Sequence, residues 1–127
     1  MALRSYDWHG LTLAALRIAS GLLLVQHGTA KLFGFPGGNR AVIDLNTLAG
    51  WTGPIEFVGG LLLITGLFTR PAAFILSGFM AVAYFMVHAP RGFFPLLNGG
   101  ELAALYCFVF LFISVAGPGV FALDRRR

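Results

Sequence analysis

Four long apolar runs, separated by short polar stretches, are the feature that most limits how this chain can fold. The runs cover residues 11–33, 51–68, 71–88 and 101–116. At a rise of about 1.5 Å per residue, helices of these lengths span roughly 24–35 Å, against about 30 Å for the hydrocarbon core of a bilayer. A segment inside a bilayer must satisfy its own backbone hydrogen bonds, and four strands are too few to close a barrel. The pattern therefore predicts four transmembrane helices.

The scarcity of charge supports the same interpretation. Of the 127 residues, 57% are hydrophobic and only 11% are charged, whereas a soluble domain is about a quarter charged. We therefore expect a single membrane domain, residues 1–127, in contact with the lipid bilayer. The net charge is +4, but the positive residues lie in connections and near the C-terminus. They are better explained as topology signals than as a nucleic-acid surface.

The connections between the runs predict how the helices are arranged. Residues 68–71 form a very tight link, so the second and third helices should pack as an antiparallel hairpin. The two long connections, residues 34–50 and 89–100, should then lie on one side of the membrane, and the termini on the other. We predict an all-α, antiparallel four-helix bundle with both termini in the cytoplasm, because the terminal side carries more arginine. The positive residues counted are Arg4, Arg70, Arg125, Arg126 and Arg127 on the terminal side, and Lys31, Arg40 and Arg91 on the other.

The ionisable residues of the runs fall at one level of this arrangement. His27 and Lys31 are one helical turn apart near the end of the first run, and Glu56 lies near the start of the second. His88 ends the third run and Glu101 begins the fourth. Charged side chains that face lipid cost several kcal/mol, so we expect these groups to point into the bundle. The sequence predicts a polar pocket between the helices, open toward the outer side and covered by the two long connections.

Arg17 lies on the same face of the first helix and completes the predicted polar network. Each residue also has a structural interpretation. Glu56 could form an ion pair with Lys31 or Arg17 that holds the helices in register. Arg17 could extend to the cytoplasmic interface, and the two residues at helix ends, His88 and Glu101, could simply be solvated.

A metal site is chemically conceivable among these side chains, because histidine and carboxylate ligands suit zinc or iron. However, Lys31 occupies the position four residues after His27, where a paired ligand would be expected. We therefore predict no metal site. The lone Cys107 excludes an intrachain disulfide or a dithiol pair, and we interpret it as a small buried apolar residue.

Three stretches of the chain resemble the DoxX family of small bacterial membrane proteins: LRIASGLLLVQHGTAKLFG, GPIEFVGGLLLITGLFTRPAA and NGGELAALYCFVFLFISVAGPGVFALDR. The resemblance implies four transmembrane helices in the bacterial cytoplasmic membrane. Some members are similar to a subunit of thiosulfate:quinone oxidoreductase, others are associated with redox and thiol-stress systems, and many have no assigned activity. The resemblance implies that the polar residues shared by the family correspond to six residues of this chain: Arg17, His27, Lys31, Glu56, His88 and Glu101.

Three functions remain open at this point. The first is a membrane subunit that binds a small ligand, most plausibly a quinone, and serves a redox enzyme. The second is a non-enzymatic small transporter or scaffold with a structural ion-pair network, for which small residues on the helices would permit a homo-oligomer. The third is an enzyme acting alone, which ranks last because the chain has no nucleophile–base pair and no cofactor motif.

Overall fold

The computed structural model describes residues 7–37 and 48–124, and within these ranges it is all-helical with no strand. The helices are α1 (Trp8–Phe33), α2 (Leu48–Thr65), α3 (Thr69–Ala83), the one-turn α4 (Pro95–Asn98) and α5 (Glu101–Ala116). A π turn, Tyr84–His88, and a 3-10 turn, Ala89–Arg91, continue the path of α3. Four of the arginines counted for the orientation, Arg4, Arg125, Arg126 and Arg127, together with Arg40, lie outside the described residues.

Helix boundaries differ from the apolar runs where local capping decides them. Helix α1 begins three residues before its run, because the Asp7 carboxylate accepts a 2.9 Å hydrogen bond from the amide of Gly10. It ends at Phe33, and Gly34 adopts the left-handed conformation that commonly terminates a helix. Helix α2 begins and ends three residues earlier than its run. The tight link therefore lies at residues 66–68, slightly earlier than expected, and α3 already begins at Thr69.

Helices α1 and α2 form one closely packed pair. A Cβ atom added to Gly28 of α1 would lie 2.6 Å from the amide nitrogen of Phe57, and one added to Gly21 would lie 3.0 Å from the side chain of Ile64. The later residue of α1 thus contacts the earlier residue of α2, so these two helices run antiparallel.

Helices α3 and α5 form the second pair, which is also antiparallel. The Arg70 guanidinium, at the start of α3, donates to the carbonyl of Val115, at the end of α5. Further along α3, the Ser77 hydroxyl donates to the carbonyl of Cys107 at 2.7 Å. Cys107 is half-buried at this contact and is a free thiol.

Adjacent glycines in α2 allow both neighbouring helices to approach it. A Cβ atom on Gly60 would lie 2.5 Å from the side chain of Val25 in α1, and one on Gly59 would lie 2.7 Å from the side chain of Leu76 in α3. Either distance is too short for a real contact. The glycine pair therefore lets α2 contact one helix of each pair.

A buried guanidinium fastens the two pairs together at one end. Arg17 of α1 is fully buried, and all its hydrogen bonds go to backbone carbonyls. The acceptors are Leu63 (2.7 Å), Ile64 (3.0 Å), Pro118 (2.7 Å), Val120 (2.9 Å) and Phe121 (3.0 Å). The guanidinium thereby holds the segment 117–124, which follows α5, against α1 and α2. We call this region of the molecule the clamp end.

Asp124 completes the clamp end by capping α3 from a distance in sequence. Its two carboxylate oxygens accept hydrogen bonds from the amides of Phe68 and Thr69, each at 2.8 Å. Both amides lie at the start of α3, where a negative charge is favourable. Burial acts to raise the pKa of Asp124, but the amide hydrogen bonds and the charge of Arg17 outweigh it and lower the pKa.

The outer surface is largely apolar. Two helical stretches, Trp8–Phe33 and Thr69–Arg91, are long and apolar enough to cross a membrane, and Glu101–Ala116 is a shorter apolar helix. Large exposed apolar side chains come from each of the four long helices: Leu22, Leu23, Val58, Leu61, Phe74, Ile75, Val82, Leu105, Phe108, Phe112 and Val115. An apolar exterior of this kind is what contact with lipid requires.

Replacing Arg17 with methionine should lower the free energy of unfolding by about 3–5 kcal/mol, because five carbonyls lose a charged donor. Circular dichroism recorded during unfolding in mixed detergent micelles would measure this loss of stability. Arg91→Met is the matched control, because Arg91 is exposed and its loss should cost at most about 0.5 kcal/mol. Equal losses for the two variants would contradict the structural role of Arg17.

Asp124 should make stability depend on acid pH. Because its folded pKa is lowered, its contribution is present above the unfolded pKa of about 3.9 and is lost as pH falls through the folded value. At neutral pH, Asp124→Asn should cost about 1 kcal/mol, the usual contribution of a helix cap. Thermal unfolding between pH 6 and pH 3 should show a smaller loss for Asp124→Asn than for the wild type. A variant as acid-sensitive as the wild type would show that Asp124 is not the responsible group.

Candidate functional site

A cavity of about 530 Å³ lies between the two helix pairs, at the end of the molecule opposite Arg17. We call this region the cavity end. Most of the lining is apolar, with a small number of polar side chains. The lining residues are Leu24, His27, Lys31, Thr52, Glu56, Phe79, Met80, Ala83, Val87, His88, Gly99, Leu102, Ala103 and Tyr106. Its size and its mixture of apolar walls with few polar groups are typical of small-molecule sites.

An ion pair between α1 and α2 forms one wall of the cavity. The Lys31 ammonium lies 2.8 Å from Glu56 Oε1 and also donates to the Thr52 hydroxyl at 3.2 Å. The Glu56 side chain is 9% exposed and that of Lys31 is 37% exposed. The carboxylate therefore lies inside the bundle while the ammonium reaches it from a more open position.

Two histidines contribute to the cavity from different helices. His27 lies one turn before Lys31 on α1, and His88 is the last residue of the π turn that continues α3. His88 Nδ1 lies 3.2 Å from the carbonyl oxygen of Asn98, which links the π turn to the segment before α5. A π turn inside a helix is often found at functional sites, since it reorients side chains over one turn.

The structure thus brings together four of the six residues predicted for the polar network. Arg17 and Glu101 do not line this cavity. Arg17 shares a helix face with Lys31, but their separation of 14 positions corresponds to about 21 Å along the axis. Its hydrogen bonds place it in the clamp end. Glu101 is exposed at the first turn of α5.

Two polar cavity residues were not predicted from the sequence. Thr52 precedes Glu56 by four residues and therefore shares its helix face, a signal that could have identified it. Tyr106 lies in the middle of the last apolar run, and its hydroxyl needs a partner once buried. Tyr106 is 5% exposed, and its ring stacks on that of Phe110 with a centroid distance of 5.1 Å. This stacking holds the phenol in place at the cavity.

Two buried oxygen atoms at the cavity residues have no hydrogen-bond partner within residues 7–37 and 48–124. They are Glu56 Oε2 and the hydroxyl of Tyr106. Leaving a buried polar atom unpaired costs about 1–3 kcal/mol, so such atoms are unusual in a folded protein. Two of the residues that line the cavity therefore have unused hydrogen-bonding capacity, one at a carboxylate oxygen and one at a phenol.

The described residues include no group of three His, Cys, Asp or Glu side chains that could hold a metal ion. A second hollow, of about 570 Å³, lies at the clamp end and includes Asp124 and Arg70. Both of those side chains already bond to the backbone of neighbouring segments. One buried hydroxyl at the clamp end, Thr69 Oγ1, also has no hydrogen-bond partner among the described residues. The cavity end has two such atoms, together with an ion pair and two histidines, and is therefore the candidate site.

Comparison with known proteins identifies relatives over most of the chain. The chain is 53% identical to an uncharacterised protein of Haemophilus influenzae, over 90% of this chain and 89% of that protein. It is 28% identical to the inner membrane protein YqjF of Escherichia coli K12, over 86% of each chain. No solved structure matches the chain.

The sequence profile of the DoxX family matches residues 12–89, which include most of α1 and all of α2, α3 and the π turn. This range contains the three ionisable cavity residues of α1 and α2, His27, Lys31 and Glu56, as well as His88 and the clamp residue Arg17. The resemblance seen in the sequence is thereby confirmed, and the chain belongs to the DoxX family of membrane proteins.

Proposed function

We propose that this protein binds a quinone-type molecule in the cavity at the cavity end, as a membrane subunit that serves an oxidoreductase. The observation that carries the proposal is an apolar cavity of about 530 Å³ whose lining residues include Glu56 and Tyr106, each with a buried oxygen atom that has no hydrogen-bond partner among the described residues. A quinone needs an apolar slot for its ring and tail and a few protic groups at its oxygen atoms.

The lining residues supply both requirements. Leu24, Phe79 and Met80 offer apolar contacts for a ring and a hydrocarbon tail. Lys31 and Tyr106 can donate hydrogen bonds to a quinone oxygen, while carboxylate and imidazole groups can take up or release protons. The half-exposed position of Lys31 supports a proton path between the cavity and the nearby membrane surface.

The proposed setting is the bacterial inner membrane, with all four long helices spanning it and both termini in the cytoplasm. The name of the Escherichia coli relative and the apolar exterior support this setting. The excess of arginine near the termini supports the orientation. The cavity end would then lie toward the outer side of the membrane.

A second candidate is a transporter or scaffold in which the polar groups serve structure. The Lys31–Glu56 ion pair favours it, because this contact joins α1 to α2 without any ligand. Small residues at helix surfaces would permit a homo-oligomer.

Filling the cavity should weaken quinone binding about tenfold. In Ala103→Phe, the new ring would occupy cavity space, since Ala103 is a lining residue. Ala104→Phe is the matched control, the same substitution at the next position of α5 and outside the lining. Native mass spectrometry with quinone extraction should show quinone bound to the wild type and to Ala104→Phe. The cavity-filled variant should retain about tenfold less, the effect of roughly 1.4 kcal/mol of binding free energy.

Two results would contradict the quinone proposal. One is a wild type that holds no quinone even after a short-chain quinone is added. The other is an Ala103→Phe variant that holds as much as the control. If the wild type holds no ligand and Lys31→Met only lowers the unfolding temperature, the results would support the scaffold instead.

Cysteine labelling would test the orientation in the membrane. Two single-cysteine variants are made in a Cys107→Ser background. One is Phe93→Cys, at an exposed position of the cavity end, and the other is Leu123→Cys, at an exposed position of the clamp end. A membrane-impermeant maleimide should label Phe93→Cys in intact cells and Leu123→Cys only after permeabilisation. The reverse pattern would invert the orientation, and labelling of both in intact cells would show that α5 does not span the membrane.

A further inference from the structure

A narrow groove runs along the outer surface between α2 and α3. Every residue that lines it is apolar or a glycine. The buried residues Gly59, Ala72 and Leu76 form its floor. The exposed residues Val58 and Ile75 form its rims, one on each helix. No residue of this groove also lines the cavity at the cavity end, so the groove is a separate site that opens toward the outside of the bundle.

The length of the groove matches one leaflet of a bilayer. On α2 it extends from Trp51, near the start of the helix, to Leu62. This separation corresponds to about 16 Å along the axis, against about 15 Å for half of a hydrocarbon core. Trp51 is exposed and lies toward the cavity end, and tryptophan is enriched at the level of the lipid headgroups. The groove thus runs from headgroup level toward the middle of the membrane.

The width of the groove limits what it can hold. Its volume is about 370 Å³, so over a length of about 16 Å its mean cross-section is roughly 23 Å². A helix with its side chains is at least about 10 Å wide, which corresponds to a cross-section of roughly 80 Å². The groove therefore admits a single hydrocarbon chain, but not a helix from a second copy of this protein.

We propose that this groove binds one acyl chain of a phospholipid from the leaflet at the cavity end. The groove is continuous with the apolar exterior that faces lipid, including the exposed Leu61 of α2 and Phe74 of α3. An empty groove would leave its floor without van der Waals partners, and packing of this kind is what drives association inside a bilayer. The proposal shares the membrane setting proposed above but does not depend on quinone binding.

The tail of a quinone fits the groove less well than a phospholipid chain. With its tail in the groove, the quinone ring would lie at Trp51, outside the cavity. The ring would then be separated from the polar side chains of the cavity, such as Lys31 and Glu56. A phospholipid has no such conflict, because its headgroup belongs at the membrane surface.

Trp51 provides an intrinsic reporter for the groove. The sequence has two tryptophans, so Trp8→Phe leaves Trp51 as the single one, and we call this protein the parent. The purified full chain in detergent micelles is titrated with a phosphatidylcholine brominated near the headgroup end of one acyl chain, because bromine quenches tryptophan fluorescence on contact. We expect the quenching to saturate once each protein holds one lipid. Quenching that rises in proportion to the lipid fraction without saturating would overturn the proposal.

Filling the groove should weaken this quenching. In the double variant Val58→Phe and Ile75→Phe, a ring from each rim would occupy groove space. Leu61→Phe with Val82→Phe is the matched control, because it adds the same two rings at exposed positions of α2 and α3 outside the lining. The filled variant should need about tenfold more brominated lipid for half-maximal quenching, whereas the control should match the parent. Equal curves for the two variants would contradict the proposal, because Trp51 would then report only the lipid around the bundle.

Native mass spectrometry of the same samples identifies the occupant. We expect one phospholipid on the parent and on the control, and none on the filled variant. If filling the groove instead removes a quinone or a second copy of the chain, the assignment to a phospholipid is wrong. Ala103→Phe, which fills the cavity, should leave the quenching of Trp51 unchanged, and a change would overturn the separation of the two sites. Failure at the groove is thereby distinguishable from failure of quinone binding in the cavity.

Discussion

The buried guanidinium of Arg17 is the contact on which the arrangement of the helices depends. It lies on α1, yet its five hydrogen bonds reach the end of α2 and the segment after α5. Asp124, in that same segment, caps the start of α3. One short stretch of chain is thereby tied to three helices at one end of the molecule. The cavity lined by Lys31 and Glu56 lies between the helix pairs at the opposite end, away from these contacts.

The two ends also use charge in different ways. At the clamp end, the charged groups of Arg17 and Asp124 bond to backbone carbonyls and amides, which fixes their geometry and leaves little capacity for a ligand. At the cavity end, Lys31 and Glu56 bond to each other, and part of the hydrogen-bonding capacity stays unused. This difference distinguishes the buried charged groups of the clamp end, which have a structural role, from those of the cavity end, which are candidates for binding. It could not be inferred from residue types, since both ends contain a cation and a carboxylate.

Much of the helical fold can be predicted from this sequence, because apolar runs of suitable length leave few alternatives to helices. The positions of His27, Lys31 and Glu56 near one end follow from their places in the runs, and an ion pair between Lys31 and Glu56 is one of the structural interpretations that the sequence allows. Arg17 shares a helix face with Lys31, but its partners are backbone atoms more than 40 residues away, which side-chain patterns do not reveal. Tyr106 was missed because a tyrosine in an apolar run does not show whether its hydroxyl finds a partner.

The clamp has a consequence for how the protein is made. Three of the Arg17 acceptors, Pro118, Val120 and Phe121, follow it by 101 to 104 residues. The ribosome therefore produces the guanidinium long before most of its partners exist. During that interval the positive charge has to be accommodated at the lipid interface or by water in the insertion machinery. The clamp can therefore close only after residues 118–121 have been made, and a nascent chain that stops short of residue 118 would leave the guanidinium without these acceptors.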